Sequence, residues 1–469
     1  VAVLVVGCSS SGDGGDARST KRSGDATSRT VPTQDPGRTQ SAEGITISVE
    51  PDERGQSVLD AIARATTSVD IAVYEIDAPQ INAALVAAVQ RGVHVRMVLN
   101  GQWFGGTSTK YAYDLLSVLQ TAAAQPGAGT VQLNWSSNNF QITHQKTVLI
   151  DALAADGTPL AAGDLPPTAE AHVLTGNLNA DGYQSYEPSR CYAPCNFWSA
   201  RDFYMRVTDT TLVAEIARVF ASDFSCAPAT ETNGLLDTPL PLTWSNGSTG
   251  VQAGDPAGQY PAGGVYPYPF VNTPARPLPD GPDPGPGTDQ GNVRGRMLAI
   301  INGARSTLEV YNEEMADQQV VDALAAASTR LGAGKVRVVM SGDLQDNSYA
   351  DAYDQLVAVG VVVKLFPISD SILYIHAKAI VADGRDAYVG STNISSPSIN
   401  FNRELGLTFT DQADVLAPVI STFETDFADP VAVTWPPGGP PSTTTAPARA
   451  TTTAPPATPP AAGPPAAPP

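Results

Sequence analysis

The stretch HQKTVLID, residues 144–151, has the same pattern as the stretch HAKAIVAD, residues 376–383. Each begins with a histidine, has a lysine two residues later and ends with an aspartate. The 469-residue chain contains only four histidines and six lysines, so two such matches are far from a chance arrangement. The pattern predicts one kind of site, built twice. Its candidate catalytic residues are His144, Lys146, Asp151, His376, Lys378 and Asp383.

The spacing within each motif suits chemistry at a phosphate group. Both stretches are typical of strands, where residues i and i+2 face the same side, so the histidine and lysine point into one site. An ammonium group offsets the charge on phosphate oxygens, while an imidazole attacks phosphorus or protonates the leaving oxygen. Lysine is not a metal ligand at neutral pH, so we expect no metal or other cofactor. Lys146 and Lys378 are therefore phosphate-binding candidates.

A turn that runs from glycine to asparagine follows each motif. The first is GNLN, residues 176–179, and the second is GSTN, residues 390–393. Small residues and a side-chain amide suit phosphate binding through N–H groups. We therefore expect Asn179 and Asn393 to bind phosphate as well.

An acidic residue follows each turn, Asp202 in RDFYM and Glu404 in RELGL. Glu404 lies 28 residues after His376, and Asp202 lies 58 residues after His144. Insertions of 18 and 12 residues in the first half account for the difference. Each carboxylate is thus expected to accept a hydrogen bond from the histidine of its own half and to fix the ring tautomer.

The regions around the two motifs predict the same order of elements. In the first, a helix precedes the strand SVDIAVY, and a second helix precedes VHVRMVL; in the second, TLEVY and KVRVVM take these places. Each half closes with a helix ending in FASDF or FETDF. Composition marks the remaining boundaries. We predict a signal-peptide end (1–8), a disordered tether (9–43), an N-terminal domain (44–227), a Pro/Gly-rich linker (228–292), a C-terminal domain (293–429) and a disordered Pro/Thr/Ala-rich tail (430–469).

With both motifs, turns and acids in place, the sequence resembles the phospholipase D superfamily of HKD phosphodiesterases from about residue 45 to residue 427. The resemblance implies two α/β sandwich halves related by a pseudo-twofold axis, with one shared, metal-independent site. It also implies that one histidine forms a covalent phosphohistidine and that the other protonates the leaving alcohol. The aspartate closing each motif is largely structural in that family. The resemblance favours His144 as nucleophile, and near-symmetry leaves the assignment open.

The implied activity is that of a phospholipase D, which hydrolyses or transfers the head group of a phosphodiester lipid. Three alternatives stay open: a cardiolipin synthase-like phosphatidyltransferase, an HKD nuclease and a non-catalytic envelope binding protein. The formal net charge of −20 disfavours nucleic acid as a partner. We expect a monomer that acts on phospholipid at a membrane surface.

The first residues resemble the lipobox of a bacterial lipoprotein signal. VVGC at residues 5–8 is followed by three serines, which predicts lipidation at Cys8 and an exported protein, either membrane-anchored or extracellular. A cytoplasmic N-terminus with a chance cysteine is the alternative. Cys191, Cys195 and Cys226 allow at most one disulfide among them, and the spacing does not say which residues pair.

Other notable residues carry weaker predictions. His94 and His172 lack a partnered lysine and are expected to be structural or at the surface. Glu313 and Glu314 could form an acid pair, but charges at the ends of core strands are usually rim or salt-bridge residues. The aromatic residues of Trp103-Phe104 and of 260–270 more often cover apolar surface than touch a membrane.

Overall fold

A computed structural model describes residues 44–100, 110–136, 142–183, 199–226, 270–272, 293–369, 371–400 and 402–437. The predictions for Cys8, Cys191, Cys195 and the pair Trp103-Phe104 fall outside these residues. The helices are α1 (Gln56–Arg64), α2 (Pro79–Gln90), α3 (Lys110–Ala123), α4 (Thr210–Cys226), α5 (Val293–Gly303), α6 (Gln318–Leu331), α7 (Ala350–Ala358), α8 (Ser396–Asn400) and α9 (Ala413–Ala428). None of the helices in this described part is long and apolar enough to cross a bilayer.

The first half forms a mixed sheet in the order β1-β7-β6-β5-β2-β3-β4. β2, β3 and β4 run parallel, and the other neighbours are antiparallel. β2 is buried along its whole length, as expected for a central strand with helices or another sheet on both faces. The strands are β1 (Ile45–Glu50), β2 (Ser68–Val73), β3 (His94–Leu99), β4 (Val131–Trp135), β5 (Thr147–Ile150), β6 (Glu170–Leu174) and β7 (Ala200–Val207).

The second half repeats this sheet in the order β11-β10-β9-β13-β14-β15-β8, with β16 added beside β11. Read from β4 to β1, the first sheet matches it strand for strand, with parallel and antiparallel pairs in the same places. The predicted duplication is therefore present in the topology. The strands are β8 (Phe270–Asn272), β9 (Leu308–Tyr311), β10 (Val336–Gly342), β11 (Val362–Pro367), β12 (Tyr374–Ile375), β13 (Ala379–Ala382), β14 (Asp386–Gly390), β15 (Leu405–Phe409) and β16 (Val433–Thr434).

Both ends of the second repeat differ from the predicted boundaries. β8 is the counterpart of β1, so the second sheet takes a strand from within the predicted linker 228–292. β16 and Trp435 lie beyond residue 429, where a disordered tail was predicted; Trp435 is buried and its Nε1 donates to Asp354 at 2.8 Å. Composition did not reveal that these two segments are ordered, because each is only a few residues long and is flanked by proline.

Three apolar clusters hold the layers together. Helices α1, α2 and α3 pack on the outer face of the first sheet, and α5, α6 and α7 pack on the outer face of the second. The third cluster contains α4, α9 and residues from both sheets, including Phe203 and Tyr311, whose rings lie 5.6 Å apart. The two halves therefore share one core, and this core fixes how their motifs face each other.

The aspartates that close the two motifs hold loops in place. Asp151 is fully buried and accepts hydrogen bonds from the main-chain N–H groups of residues 66–68 and from Thr168. Asp383 accepts from the N–H groups of residues 305–307 in the same way. Both have positive φ, 51° and 55°, which aspartate tolerates better than most residues. Burial favours the neutral acid, but these hydrogen bonds hold the pKa of Asp151 below its usual value.

Asp151→Asn should lower the free energy of unfolding by about 1–3 kcal/mol, because it leaves buried N–H groups without a charged acceptor. Asp383→Asn should lower the free energy of unfolding by less, since the Asp383 carboxylate is less buried. With a depressed folded pKa, the contribution of Asp151 is present above the unfolded pKa and is lost as the pH falls through the folded value. Urea unfolding at pH 7 and at about pH 2 measures both effects. The exposed helix residue Asp60 supplies the control, and Asp60→Asn should change stability by at most about 0.5 kcal/mol.

Candidate active site

Both predicted histidines have a carboxylate at Nδ1, and in each case the carboxylate comes from the other half. Nδ1 of His144 lies 3.0 Å from both carboxylate oxygens of Glu404. Nδ1 of His376 lies 3.0 and 3.2 Å from the oxygens of Asp202. The carboxylate requires the proton on Nδ1, so Nε2 of each neutral ring carries the lone pair.

The main chain explains this exchange of partners. The two histidines hydrogen-bond to the residue that precedes the acid of the opposite half. The N–H of His144 donates to the carbonyl of Arg403 at 2.8 Å, and the N–H of His376 donates to the carbonyl of Arg201 at 3.2 Å. β12 also pairs in parallel with the start of β7. The histidine and lysine of each motif thus lie in extended segments just ahead of β5 and β13 rather than within them.

The sequence prediction placed each acid with the histidine of its own half, and the structure corrects it. Equivalent positions in a repeat identify the acids, but they do not say which half supplies the neighbour. Within its own half, each acid instead accepts from a hydroxyl: Thr175 donates to Asp202, and Ser391 donates to Glu404, both at 2.6 Å. Glycine at position 176 permits this packing, since a Cβ there would lie 2.3 Å from Asp202 Oδ2.

The arginine before each acid forms a buried ion pair across the halves. Arg201 binds Asp426 of α9 at 2.9 Å, and Arg403 binds Asp223 of α4 at 2.7 Å. The two aspartates come from the FETDF and FASDF segments, whose correspondence was visible in the sequence. Their role was missed because a repeated aspartate near the end of a helix does not reveal its partner.

Burial sets the protonation of the first-half pair. It lowers the pKa of the His144 ring to about 4, against the opposing attraction of Glu404. Burial opposes ionisation of Glu404 as well, but the neighbouring His144 keeps the pKa of this carboxyl below its usual value. The ring is therefore neutral at pH 7, as a nucleophile requires.

The two lysines are fully buried, and each is anchored by the histidine of its own motif. Lys146 Nζ donates to the carbonyl of His144 at 2.6 Å, and Lys378 Nζ donates to that of His376. Burial, together with the charge on Lys378, lowers the pKa of Lys146 to about 7. A phosphate anion at this position would favour the charged ammonium.

The asparagine equivalent to Asn393 is Asn177, and Asn179 lies two residues too far along. Leu178 and Ile394 make matching bridges, to Ile76 and Met315, so the residue before each is equivalent. The sequence prediction aligned the two turns on Gly176 and Gly390, which placed Asn179 opposite Asn393. The equivalent residues are instead Thr175 and Ser391, whose hydroxyls donate to the acids. Asn179 Nδ2 instead donates to Glu75 at 2.8 Å.

Glu313 is a site residue that the sequence prediction set aside as a rim or salt-bridge charge. Its Oε2 lies 3.0 Å from Lys378 Nζ, 3.3 Å from Asn393 Nδ2 and 3.5 Å from His376 Nε2. Tyr374 donates to its Oε1 at 2.9 Å. The salt bridge exists, but it lies inside the site. The distinguishing signal was its position two residues after β9, the strand that pairs with the second motif.

The remaining histidines lie apart from these groups. His94 Nδ1 lies 2.8 Å from Thr130 Oγ1 near the surface, and His172 lies 3.3 Å from Glu170 in the interior. Among the residues described, no cluster of three or more histidine, cysteine, aspartate or glutamate side chains is arranged to hold a metal ion.

Comparison with known proteins agrees with this geometry. A family model described as cardiolipin synthase, PLD-like domain, matches residues 58–187 and 297–428. The two matches cover more than half of the chain and fall one in each half. The chain therefore belongs to the PLD-like domain family of the phospholipase D superfamily, whose members are phosphodiesterases and phosphatidyltransferases. No curated protein sequence matches the chain.

The solved structures that match this chain are distant in sequence. A phosphatidylserine synthase from Haemophilus influenzae Rd KW20 matches with 12% identity and a TM-score of 0.53, over 84% of this chain and 88% of that protein. A polyphosphate kinase from Porphyromonas gingivalis matches with 13% identity and a TM-score of 0.47, over 82% of this chain; the match spans about half, 51%, of the kinase. Nuc of Salmonella typhimurium, a phospholipase D family member, matches with 17% identity and a TM-score of 0.29, over 40% of this chain and 98% of Nuc.

Asp202→Asn and Glu404→Gln should each slow phosphodiester cleavage by at least about 100-fold, because the loss of a histidine's carboxylate partner in a catalytic triad costs about 10⁴. The exchange of partners is tested by the ring nitrogen NMR signals of the four histidines. Asp202→Asn should perturb His376, and Glu404→Gln should perturb His144. Perturbation of the histidine in the same half as the altered acid would contradict the observed pairing.

Asn177→Ala should weaken binding of inorganic phosphate by about tenfold or more, because a hydrogen bond to a charged group contributes about 1.5–3 kcal/mol. Asn177 is equivalent to Asn393, whose Nδ2 lies 3.3 Å from the carboxylate of Glu313, so the Asn177 amide is at a position suited to bind an anion. Asn179→Ala is the matched control and should change phosphate affinity less than about threefold. Competitive inhibition by phosphate measures the affinity of both variants. A larger loss of affinity in Asn179→Ala than in Asn177→Ala would identify Asn179 as the binding residue.

Proposed function

We propose that the protein cleaves the phosphodiester bond of a phospholipid and releases its head group through a covalent phosphohistidine. One observation carries the proposal: two His–Lys pairs meet in one site, each histidine with Nδ1 on a carboxylate from the other half. The main chain at each histidine bonds to the residue before the acid of the other half, which brings the two motifs together. Such a pair supplies a nucleophile and an acid to one phosphorus atom.

In the first step, Nε2 of one histidine bonds to phosphorus and the P–O bond to the head group breaks. The second histidine gives its Nε2 proton to the departing oxygen. In the second step, that histidine takes a proton from water, whose oxygen displaces the first ring from phosphorus. Lys146 and Lys378 offset charge on the non-bridging oxygens throughout.

Charge supports a lipid over a nucleic acid as substrate. The chain carries a formal net charge of −20, which repels a long polyanion, whereas a single phosphodiester needs only the local lysines. Lipidation at Cys8 would hold the site at a membrane, next to this substrate. The membrane anchor and export stay predictions from the N-terminal sequence.

Transfer is the second candidate function. The matching family is described as a cardiolipin synthase, which favours an acceptor alcohol in place of water in the second step. The same residues serve both reactions, since the second histidine deprotonates either hydroxyl. The chemistry of the first step is unchanged.

The test is release of head group from defined phospholipid vesicles, with and without an added alcohol. The wild type should release head group, and His144→Ala and His376→Ala should each abolish turnover without additive effects, because the two rings act as one unit. A phosphatidyl-alcohol product would identify transfer. Plasmid nicking without head-group release would instead identify a nuclease.

Two controls separate these outcomes from trivial ones. His94→Ala removes a histidine near the surface and should leave activity unchanged. EDTA should not abolish activity, because the proposed phosphate-neutralising charges are lysines. If His144→Ala or His376→Ala kept more than a few per cent of the activity, the two-histidine mechanism would be contradicted.

A further inference from the structure

The two halves of the site differ at one position that the repeat makes equivalent. Ala72 pairs with the residue after Lys146, and Tyr311 pairs with the residue after Lys378. Two residues further along, the first half has Tyr74 and the second has Glu313. A neutral phenol thus stands in one half where a carboxylate stands in the other.

Tyr74 leaves the first-half groups available. Its ring lies edge-on to His144 at 5.4 Å between centroids, and Lys146 Nζ lies 5.8 Å from the ring centre. Tyr74 has no carboxylate, so it places no negative charge next to Nε2 of His144. The first-half lysine and Asn177 can therefore turn toward a phosphate.

In the second half, Glu313 brings a carboxylate to the equivalent lysine, asparagine and histidine. A single oxygen, Oε2, lies within 3.5 Å of Lys378, Asn393 and Nε2 of His376, so its charge lies among the groups that face the phosphate. Burial opposes its ionisation, but Lys378 and His376 hold the pKa of Glu313 well below its usual value. The carboxylate is therefore charged at neutral pH.

His376 consequently has a carboxylate on each side of its ring, Asp202 at Nδ1 and Glu313 near Nε2. Among the described residues, Lys378 is anchored on its carbonyl, and the ring of Tyr374 lies 6.3 Å away. A carboxylate accepts a hydrogen bond only from a ring nitrogen that carries a proton, so a ring placed between two carboxylates is suited to donate a proton rather than to attack. An imidazolium is a proton donor and cannot be a nucleophile.

We propose that Glu313 is a positioning residue, which holds a proton at Nε2 of His376 and so makes His376 the general acid and leaves His144 as the nucleophile. This inference rests on the proposed phosphodiesterase function. Nε2 of His144 bonds to phosphorus, the electron pair of the breaking P–O bond goes to the leaving oxygen, and the proton from Nε2 of His376 follows it. The imidazole of His376 then takes the proton of the attacking water or alcohol.

The test compares Glu313→Gln and Glu313→Tyr, the second of which installs the residue of the first half, with Glu314→Gln. Glu314 is the control, since it is the adjacent residue in the chain and also carries a carboxylate. In Glu313→Gln, the NMR titration midpoint of His376 should fall by about one pH unit or more, as expected on removing an opposite charge within about 4–6 Å. Glu314→Gln should shift it by less than half as much.

Kinetics then separates acid catalysis from structural loss. With an alkyl leaving group, Glu313→Gln should lose about 100-fold or more in kcat, the usual contribution of a general acid. With a p-nitrophenyl leaving group, which needs no proton, the loss should be under about tenfold. Inorganic phosphate should bind the variant more tightly, because a like charge has been removed.

Several results would overturn the proposal. Faster cleavage of the alkyl ester by Glu313→Gln would make the carboxylate a barrier to substrate, and equal losses on both esters would make it structural. An unshifted His376 titration would exclude the electrostatic role. If the wild type cleaves neither ester, the proposed function itself is rejected. The titration requires no substrate, so in that case it still tests the interaction between Glu313 and His376.

Discussion

The contact between the Nδ1 of each histidine and a carboxylate of the opposite half is the constraint on which the rest of the structure depends. Neither histidine has its tautomer set until the two halves are packed. The interface must therefore place two rings and two acids to within hydrogen-bond tolerance. A shared apolar core and main-chain bonds between the halves provide that rigidity.

The buried Arg–Asp pairs strengthen the same interface at the residues that matter most. Arg201 and Arg403 each precede a catalytic acid, and each binds an aspartate on a helix of the other half. A buried pair contributes little net stability compared with apolar residues of the same size, but loss of one partner costs about 3–5 kcal/mol. These pairs therefore specify one arrangement of the halves more than they stabilise it.

The sequence predicted the motifs, the duplication and the fold class, because these depend on residue type and periodicity within one half. It located Asp202 and Glu404 but assigned them to the wrong histidines, since spacing along one half carries no information about contacts between halves. Asn179 was chosen over Asn177 because glycine was used to align turns that a hydroxyl defines. Glu313 was set aside for a related reason: its partners, Lys378 and Asn393, are far from it in sequence.

Tyr74 and Glu313 also bear on how such a site can be assembled. A site made by two identical chains about a true twofold axis must have the same residue at both equivalent positions, so it would contain two tyrosines or two glutamates. Joining the halves in one polypeptide removes that restriction. Each half can then change by itself while the strand order and the crossed acids stay symmetric. Covalent linkage thus permits chemical asymmetry within a symmetric scaffold.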